Sequence, residues 1–483
     1  MGKKSKYIIA GVLIIGVIII FFNARGYNRN SLLFKVKEPS SPSFDFTRNF
    51  YEVLSAEEMR EDLDQFKKDI EEVHPETRDG LPDNMLRAFE DAYKKIKKPM
   101  TVANFAGLTS EIIGLLEDAH SLVRAKYIGD LQLPMEVKVV DSRIYVLNGK
   151  KLEPKDRLVS LGEIPVEDSY KMISKRFPSE NIFWRDLNFS QLITMKSTLV
   201  EMGAKIENKL VNVSVNRDGQ VLNIPMRFGD VHFKPVEATE NISEYKTYPE
   251  EDVYNPQFLY KIDQEKSLCH FILKSCQNTP EYIKFLEMMF KDIKKNDIKI
   301  MAIDLRGNCG GNSMVVNEFL KYIDIDKYKT FGSTRRLSEQ AAEQRGFVRK
   351  SGEIVNKPRI RKNKKIEELA YSGCIYTLID HGTFSSGNLF AAIISDNNLG
   401  VLIGEPTGNA PNACGDILLF QMKNSKLMYN ISYTKWIRPN KGKKDDYTLY
   451  PDVFVNYDID DHIHKRDLVY DKLLEIIGEN KCR

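Results

Sequence analysis

The sequence predicts a multidomain α/β protein in which a helix-covered sheet fills the C-terminal half, behind a helical segment and a β-rich segment. Three observations predict it. From about Leu259 onward, short apolar runs alternate with amphipathic stretches, the pattern of strands covered by helices. Between about Ser55 and Arg124, apolar residues recur at helical spacing. Between about Leu131 and Asp230, β-branched and aromatic residues cluster between turns. A chain of 483 residues is long enough for several such units.

In the C-terminal part, strands are expected at Phe271–Leu273, Ile298–Leu305, Cys374–Ile379 and Leu399–Ile403. Helices are expected at Glu281–Lys295, Val315–Ile323 and Asn388–Ser395. In the first of these, Ile283, Phe285, Leu286, Met289 and Ile293 mark the apolar face. In the helical segment, Ser55 ahead of Glu57 and Glu58 marks a capped start, and Leu63, Phe66 and Ile70 share a face, as do Leu86, Phe89 and Tyr93. A third helix is expected from Val102 to Leu116, ending at Glu117-Asp118-Ala119-His120.

The amino terminus carries Lys3, Lys4 and Lys6 ahead of an unbroken apolar run from Tyr7 to Phe22. A cleaved export signal and a retained single-pass anchor both fit. No small-x-small cleavage site follows the run, which favours the anchor. Either way the lysines stay inside and the body of the chain is placed outside. The expected division is therefore an anchor or signal over 1–25, a Ser/Pro-punctuated linker over 26–50, a helical domain over 51–125, a β-rich domain over 130–235 and an α/β domain over 255–483.

Hydrophobic residues make up 42% and charged residues 29% of the chain, an ordinary globular balance, and the net charge is +3. That charge gives no reason to expect a nucleic-acid partner. The Lys-rich stretches Arg359–Lys365 and Lys441–Lys444 read as solvated loops. None of the six cysteines forms a CxxC pair, so structural zinc is not expected. Disulfides are compatible with export, in pairings the sequence leaves open. His462 and His464 have no partner cluster and read as a loop.

Two constellations carry chemistry. Ile303-Asp304-Leu305-Arg306-Gly307-Asn308-Cys309-Gly310-Gly311-Asn312 is a buried strand running into a Gly-rich turn and a helix. Glycines there let backbone N–H groups approach a ligand, as an oxyanion hole needs; a phosphate site or a plain turn would share the pattern, though the P-loop signature is absent. Thr383-Phe384-Ser385-Ser386-Gly387-Asn388 follows a second buried strand and opens a helix. A serine at such an elbow is exposed beside free N–H donors; taken alone, the two serines would serve as helix caps.

With Gly404-Glu405-Pro406-Thr407-Gly408 following them, these turns resemble the tail-specific (C-terminal processing) serine peptidase family. Its members carry D-L-R-x-N-x-G-G, then T-x-S-[SA]-x-E with the nucleophile, then G-x-x-T-x-G. Asn388 stands where that family has Glu, and Gly408 follows Thr407 without a spacer. The resemblance covers roughly the last 230 residues well and implies a crotonase-like (ClpP/crotonase) core, a serine endopeptidase acting through an acyl-enzyme, Ser385 as nucleophile, and Ser386 with Gly310 or Gly311 as oxyanion donors. Leu152–Val166 resembles the PDZ segment that leads through a turn to a helix, here starting near Glu167. Lys155 stands at the usual Gly, so an unrelated β-rich insert stays open.

The best-known branch of the family uses a Lys base, but Thr407–Asn412 contains none. The tricorn-like branch, with Ser, His and an acid, is the better match. Asp118-Ala119-His120-Ser121 resembles its D-x-H-[ST] signature, which makes His120 the base; His381 is the rival. Pro451-Asp452 resembles the branch's terminal P-D pair, which points to Asp445, or Asp446, as the acid. The resemblance implies polypeptide substrates, extracytoplasmic and gripped by a free C-terminus, and no metal or organic cofactor. Membrane contact would be through the N-terminal segment; oligomeric state is left open. A non-catalytic binding protein on the same fold is the alternative, and an acyl-CoA-type enzyme a third reading that export argues against.

Overall fold

The structure, a computed structural model, describes residues 42–124, 131–230, 244–249, 256–443 and 447–479. The expected anchor and most of the expected linker lie outside the described residues. Among the described residues, no helix is long and apolar enough to cross a membrane.

The C-terminal half is built on a seven-stranded sheet. Its order is Lys246–Thr247, Phe258–Asp263, Leu268–Leu273, Ile300–Asp304, Cys374–Ile379, Val401–Gly404 and Val453–Phe454. From Leu268 onward neighbouring strands run parallel. Parallel strands need both faces covered, and the alternation of side chains supplies two apolar faces. Phe271, Met301, Ile303 and Ile375 face the helices Pro280–Lys295, Met314–Leu320 and Ser386–Asp396. Leu268, Ala302, Cys374 and Tyr376 face the C-terminal helix Leu468–Gly478 through Val469 and Leu473. Each large side chain so buried contributes roughly 1.5–3 kcal/mol. Ile283, assigned above to the apolar face of its helix, is instead exposed; Tyr282 takes the buried position and packs on Phe258.

A second sheet orders Gly352–Asn356, Gly332–Leu337, Met428–Ile437 and Cys414–Gln421. The three N-terminal helices, Ala56–Val73, Asp83–Lys95 and Val102–Gly114, pack on it. Ser55 caps the first in a full capping box with Glu58. Phe66, Phe89 and Phe105 share one core with Leu418, Phe420, Tyr429 and Ile431, so the helical segment is fused to the C-terminal half. The strand Leu122–Arg124, just after the third helix, pairs antiparallel with Met428–Ile437. That pairing fixes the loop Glu117–Ser121 at the junction.

The insert between these parts is a sheet in the order Gln220–Arg227, Leu210–Arg217, Arg157–Leu161, Arg143–Gly149 and Met135–Val140. Arg217 clasps Asp156 with two bonds of 2.7 Å, a bidentate pair. The helix expected near Glu167 runs over Val166–Arg176. Two further helices, Ile182–Leu192 and Lys196–Glu201, make the insert more helical than its β-branched clusters suggested. The first of these reaches the junction, where Asn181 caps it and donates to Thr407 O at 3.2 Å and Tyr447 O at 2.9 Å.

Candidate active site

Asp304 and Leu378 are partners in adjacent parallel strands, so the glycine turn and the serine elbow leave the sheet side by side. Thr383 Oγ1 donates to Leu305 O at 2.9 Å, Phe384 N–H donates to Asn308 O at 2.9 Å, and Gly307 N–H donates to Asp380 Oδ1 at 2.9 Å. These bonds lock the two turns together. Ser385 has φ +51° and ψ −123°, a costly conformation for a residue with a side chain. The helix Ser386–Asp396 begins immediately after it, which gives the strand–elbow–helix arrangement of an activated serine.

Gly310 lies directly against this serine. A Cβ on Gly310 would sit 2.6 Å from Ser385 Cβ, 2.7 Å from Ser386 N and 3.0 Å from Ser385 Oγ. Its φ of +99° is also one that favours glycine. The Gly310 N–H donates to Asn308 Oδ1 at 2.8 Å, so it is already engaged. Gly311 is held by a bridge to Cys276, through Cys276 N–H to Gly310 O at 3.0 Å and Asn312 N–H to Cys276 O at 2.6 Å, and Ser386 Oγ donates to Gly311 O at 2.7 Å. The N–H groups of Gly311 and Ser386 make none of these bonds. Burial pushes the thiol of Cys309, within the same turn, up to about 12, which disfavours its thiolate.

His120 sits on the loop fixed by the Leu122–Arg124 strand. Its N–H donates to Asp118 Oδ1 at 3.0 Å and its carbonyl accepts from Asn430 Nδ2. Its ring packs on Phe384, the neighbour of Ser385, with centroids 4.6 Å apart. Trp184 from the insert stacks on the same Phe384 at 4.1 Å. Both ring nitrogens of His120 are buried without a hydrogen-bond partner, although Nδ1 is 3.8 Å from Asp118 Oδ1. Burial lowers the imidazole's affinity for a proton, while the charges of Asp118 and Asp416 work in the opposite direction. Asp118 is itself buried, which disfavours its charge, but hydrogen bonding and charge from His74 hold its carboxyl well below the usual range. His74 Nε2 lies 3.2 Å away and Ser121 Oγ donates at 2.5 Å.

Two groups complete the surroundings, and neither was singled out from the sequence. Asn409 Oδ1 accepts the Ser385 N–H at 3.0 Å, and Asn388, which replaces the expected Glu, donates to Asn409 O at 2.8 Å. Glu180 of the insert accepts the Ala119 N–H at 3.3 Å. Burial and the nearby Asp118 charge push Glu180 up to about 8. The proximity of Thr407-Gly408 to the serine elbow was a signal for Asn409; Glu180 lies in a segment with no motif.

The structure thus gathers Ser385, Ser386, Gly310 and Gly311 at one point and sets His120 beside them without a hydrogen bond to Ser385. His381 is directed elsewhere: it stacks on Phe183 at 4.8 Å and lies 3.6 Å from Glu405. Asp445 and Asp446 fall outside the described residues. His462 stacks on Tyr457.

No curated protein matches the chain. Among solved structures, mature CPAF superposes with a TM-score of 0.65 at 13% identity, covering 89% of this chain and 99% of that one. Mature CPAF complexed with lactacystin gives 0.63 at 13% identity, covering 88% and 99%. The cpaf s499a mutant gives 0.62 at 13% identity, covering 88% and 98%. At such identity these likenesses speak for the fold. Residues 274–455, which hold both turns and the elbow serine, match the model of peptidase family S41, the tail-specific family that the three turns resemble, and this match supports a serine-type peptidase.

Proposed function

We propose that the protein is an endopeptidase that cleaves extracytoplasmic polypeptides through an acyl-enzyme on Ser385. The observation that carries this reading is the strained Ser385 elbow pressed on Gly310, with the Ser386 N–H at the same contact and Gly311 tied to Ser386 Oγ. His120 takes the Ser385 Oγ proton as Oγ bonds to the peptide carbonyl carbon. The carbonyl oxygen gains the negative charge and is met by the N–H groups of Ser386 and Gly311. His120 then passes the proton to the leaving amine as the C–N bond breaks. Water, deprotonated by the same imidazole, releases the carboxylate product and restores Ser385.

For the first step the His120 ring must turn from Phe384 towards Ser385. Its unpaired nitrogens leave it free to do so, and catalytic hydrogen bonds commonly tighten only with substrate bound. Asp445 is the proposed acid of the triad, from the resemblance. A free C-terminus as the substrate's handle follows from the same family and the PDZ-like insert. The extracytoplasmic placement rests on the N-terminal apolar run. A fluorophosphonate probe tests the reading. Wild type should label covalently, and Ser385→Ala should not; absence of labelling in folded wild type overturns it.

A further inference from the structure

We propose that Asp118, His120 and Glu180 form an inhibitory site for a divalent transition-metal ion, zinc above all, that silences the peptidase by occupying the His120 imidazole. The silencing rests on the reading of His120 as general base; the binding does not.

One ligand atom from each of the three residues lies within 4.8 Å of the others. Both ring nitrogens of His120 and Oε2 of Glu180 are buried with no partner. Buried polar atoms are normally satisfied, and orphaned ones are costly. Orphaned atoms on His120 and Glu180, gathered with Asp118 in one cluster, call for an occupant. One imidazole and two carboxyl groups suit zinc and its transition-metal neighbours, whereas magnesium and calcium prefer oxygen alone. Tetrahedral zinc with bonds of about 2.0 Å sets its ligands roughly 3.3 Å apart. The site therefore closes by small side-chain rotations.

The outer contacts are those of a metal site. His74 and Ser121 hold one oxygen of Asp118, and the Ala119 N–H holds Oε1 of Glu180 and leaves Oε2 free. Such partners orient metal ligands. The ligands come from two parts of the chain: the loop after the helix Val102–Gly114, and the insert just before the helix Ile182–Leu192. Zinc would therefore clamp the insert to the His120 loop as well as blocking proton transfer.

The test is calorimetric titration of ZnCl2 into untagged Ser385→Ala protein, with MgCl2 as control. One zinc site is expected, lost in the Ser385→Ala/His120→Ala double variant and at least tenfold weaker with Glu180→Gln. No zinc site, or affinity undiminished by both changes, overturns the proposal. With wild-type enzyme, zinc should abolish hydrolysis reversibly on chelation. In Glu180→Gln, normalised to its own zinc-free rate, inhibition should need at least tenfold more zinc. Full hydrolysis with the site saturated overturns the inhibitory role alone. Zinc binding by a protein that labels with no fluorophosphonate leaves the site standing and removes the peptidase reading instead.

Discussion

Gly310 and Ser385 are packed so closely that a single methyl group on the glycine would lie 2.6 Å from the serine Cβ. No rotamer relieves that contact, because the neighbouring Ser386 N would be 2.7 Å away on the backbone. Gly310→Ala must therefore push the elbow away from the glycine turn. A displacement of about 1 Å at a nucleophile costs on the order of 100-fold. Gly310→Ala is expected to lower kcat/KM by at least about that factor while the fold persists. Near-normal kcat/KM in that variant would show that the two turns do not act together.

Asn409 offers a second handle on the same elbow. Its Oδ1 accepts the Ser385 N–H, which holds a residue in a conformation it would otherwise leave. Asn409→Ala leaves that N–H unsatisfied, whereas Asn409→Asp keeps an acceptor. The alanine variant is expected to react with a fluorophosphonate about tenfold more slowly than wild type, with the aspartate variant in between. Equal rates for alanine and aspartate would mean that the bond does not position Ser385.

Much of this site was legible in the sequence because its logic is local. A buried strand that ends in glycines, or in two serines ahead of a helix, declares its own geometry, and Ser385, Ser386, Gly310 and Gly311 all sit at such places. His120 was legible only through the resemblance of Asp118-Ala119-His120-Ser121 to a family signature, and Asp118 and Ser121 do bond to one another within that loop. Glu180 and Asn409 were not, because what they do depends on a partner far along the chain. Glu180 meets Ala119, and Asn409 meets Ser385, only after the sheet has assembled. The same limit applies to Ile283, whose helical spacing fitted the buried face while the packing gave that place to Tyr282. In the insert, β-branched residues spoke for strands, but the helix Ile182–Leu192 is capped by Asn181 and held in place by distant Thr407 and Tyr447.

The buried state of His120 sets the pH dependence of the reaction. Only the neutral imidazole can accept the serine proton. Burial lowers its proton affinity below the ordinary value of 6.5, so the acid limb of kcat/KM should have its inflection below that value. Around the ring, Asp118 and Asp416 favour the charged form and Arg124 opposes it. Asp416→Asn removes one favourable charge and should move the inflection lower still. An inflection at or above 6.5 in wild type, or an upward move in the variant, would contradict this account.

His381 and Glu405 form a second, partly buried pair, 3.6 Å apart, and it governs stability more than activity. Burial pushes Glu405 up to about 7 and His381 down to about 3; between those values both are neutral rather than an ion pair. The ordinary value for Glu405 is 4.5. Because its folded value is raised, its contribution is fully present below 4.5 and is lost as pH rises through about 7. His381 has the opposite sign: its contribution is present above its ordinary 6.5 and is lost as pH falls towards about 3. The two windows separate the residues experimentally. Glu405→Gln keeps a neutral side chain of the same shape and has no proton to lose. Thermal unfolding of the variant and wild type should nearly coincide at about pH 4, and the variant should be the more stable at about pH 8.5, by at most about 3 kcal/mol. A difference that stays constant across this range would mean that Glu405 is ionised in the folded protein throughout, paired with a charge on His381 that its burial opposes.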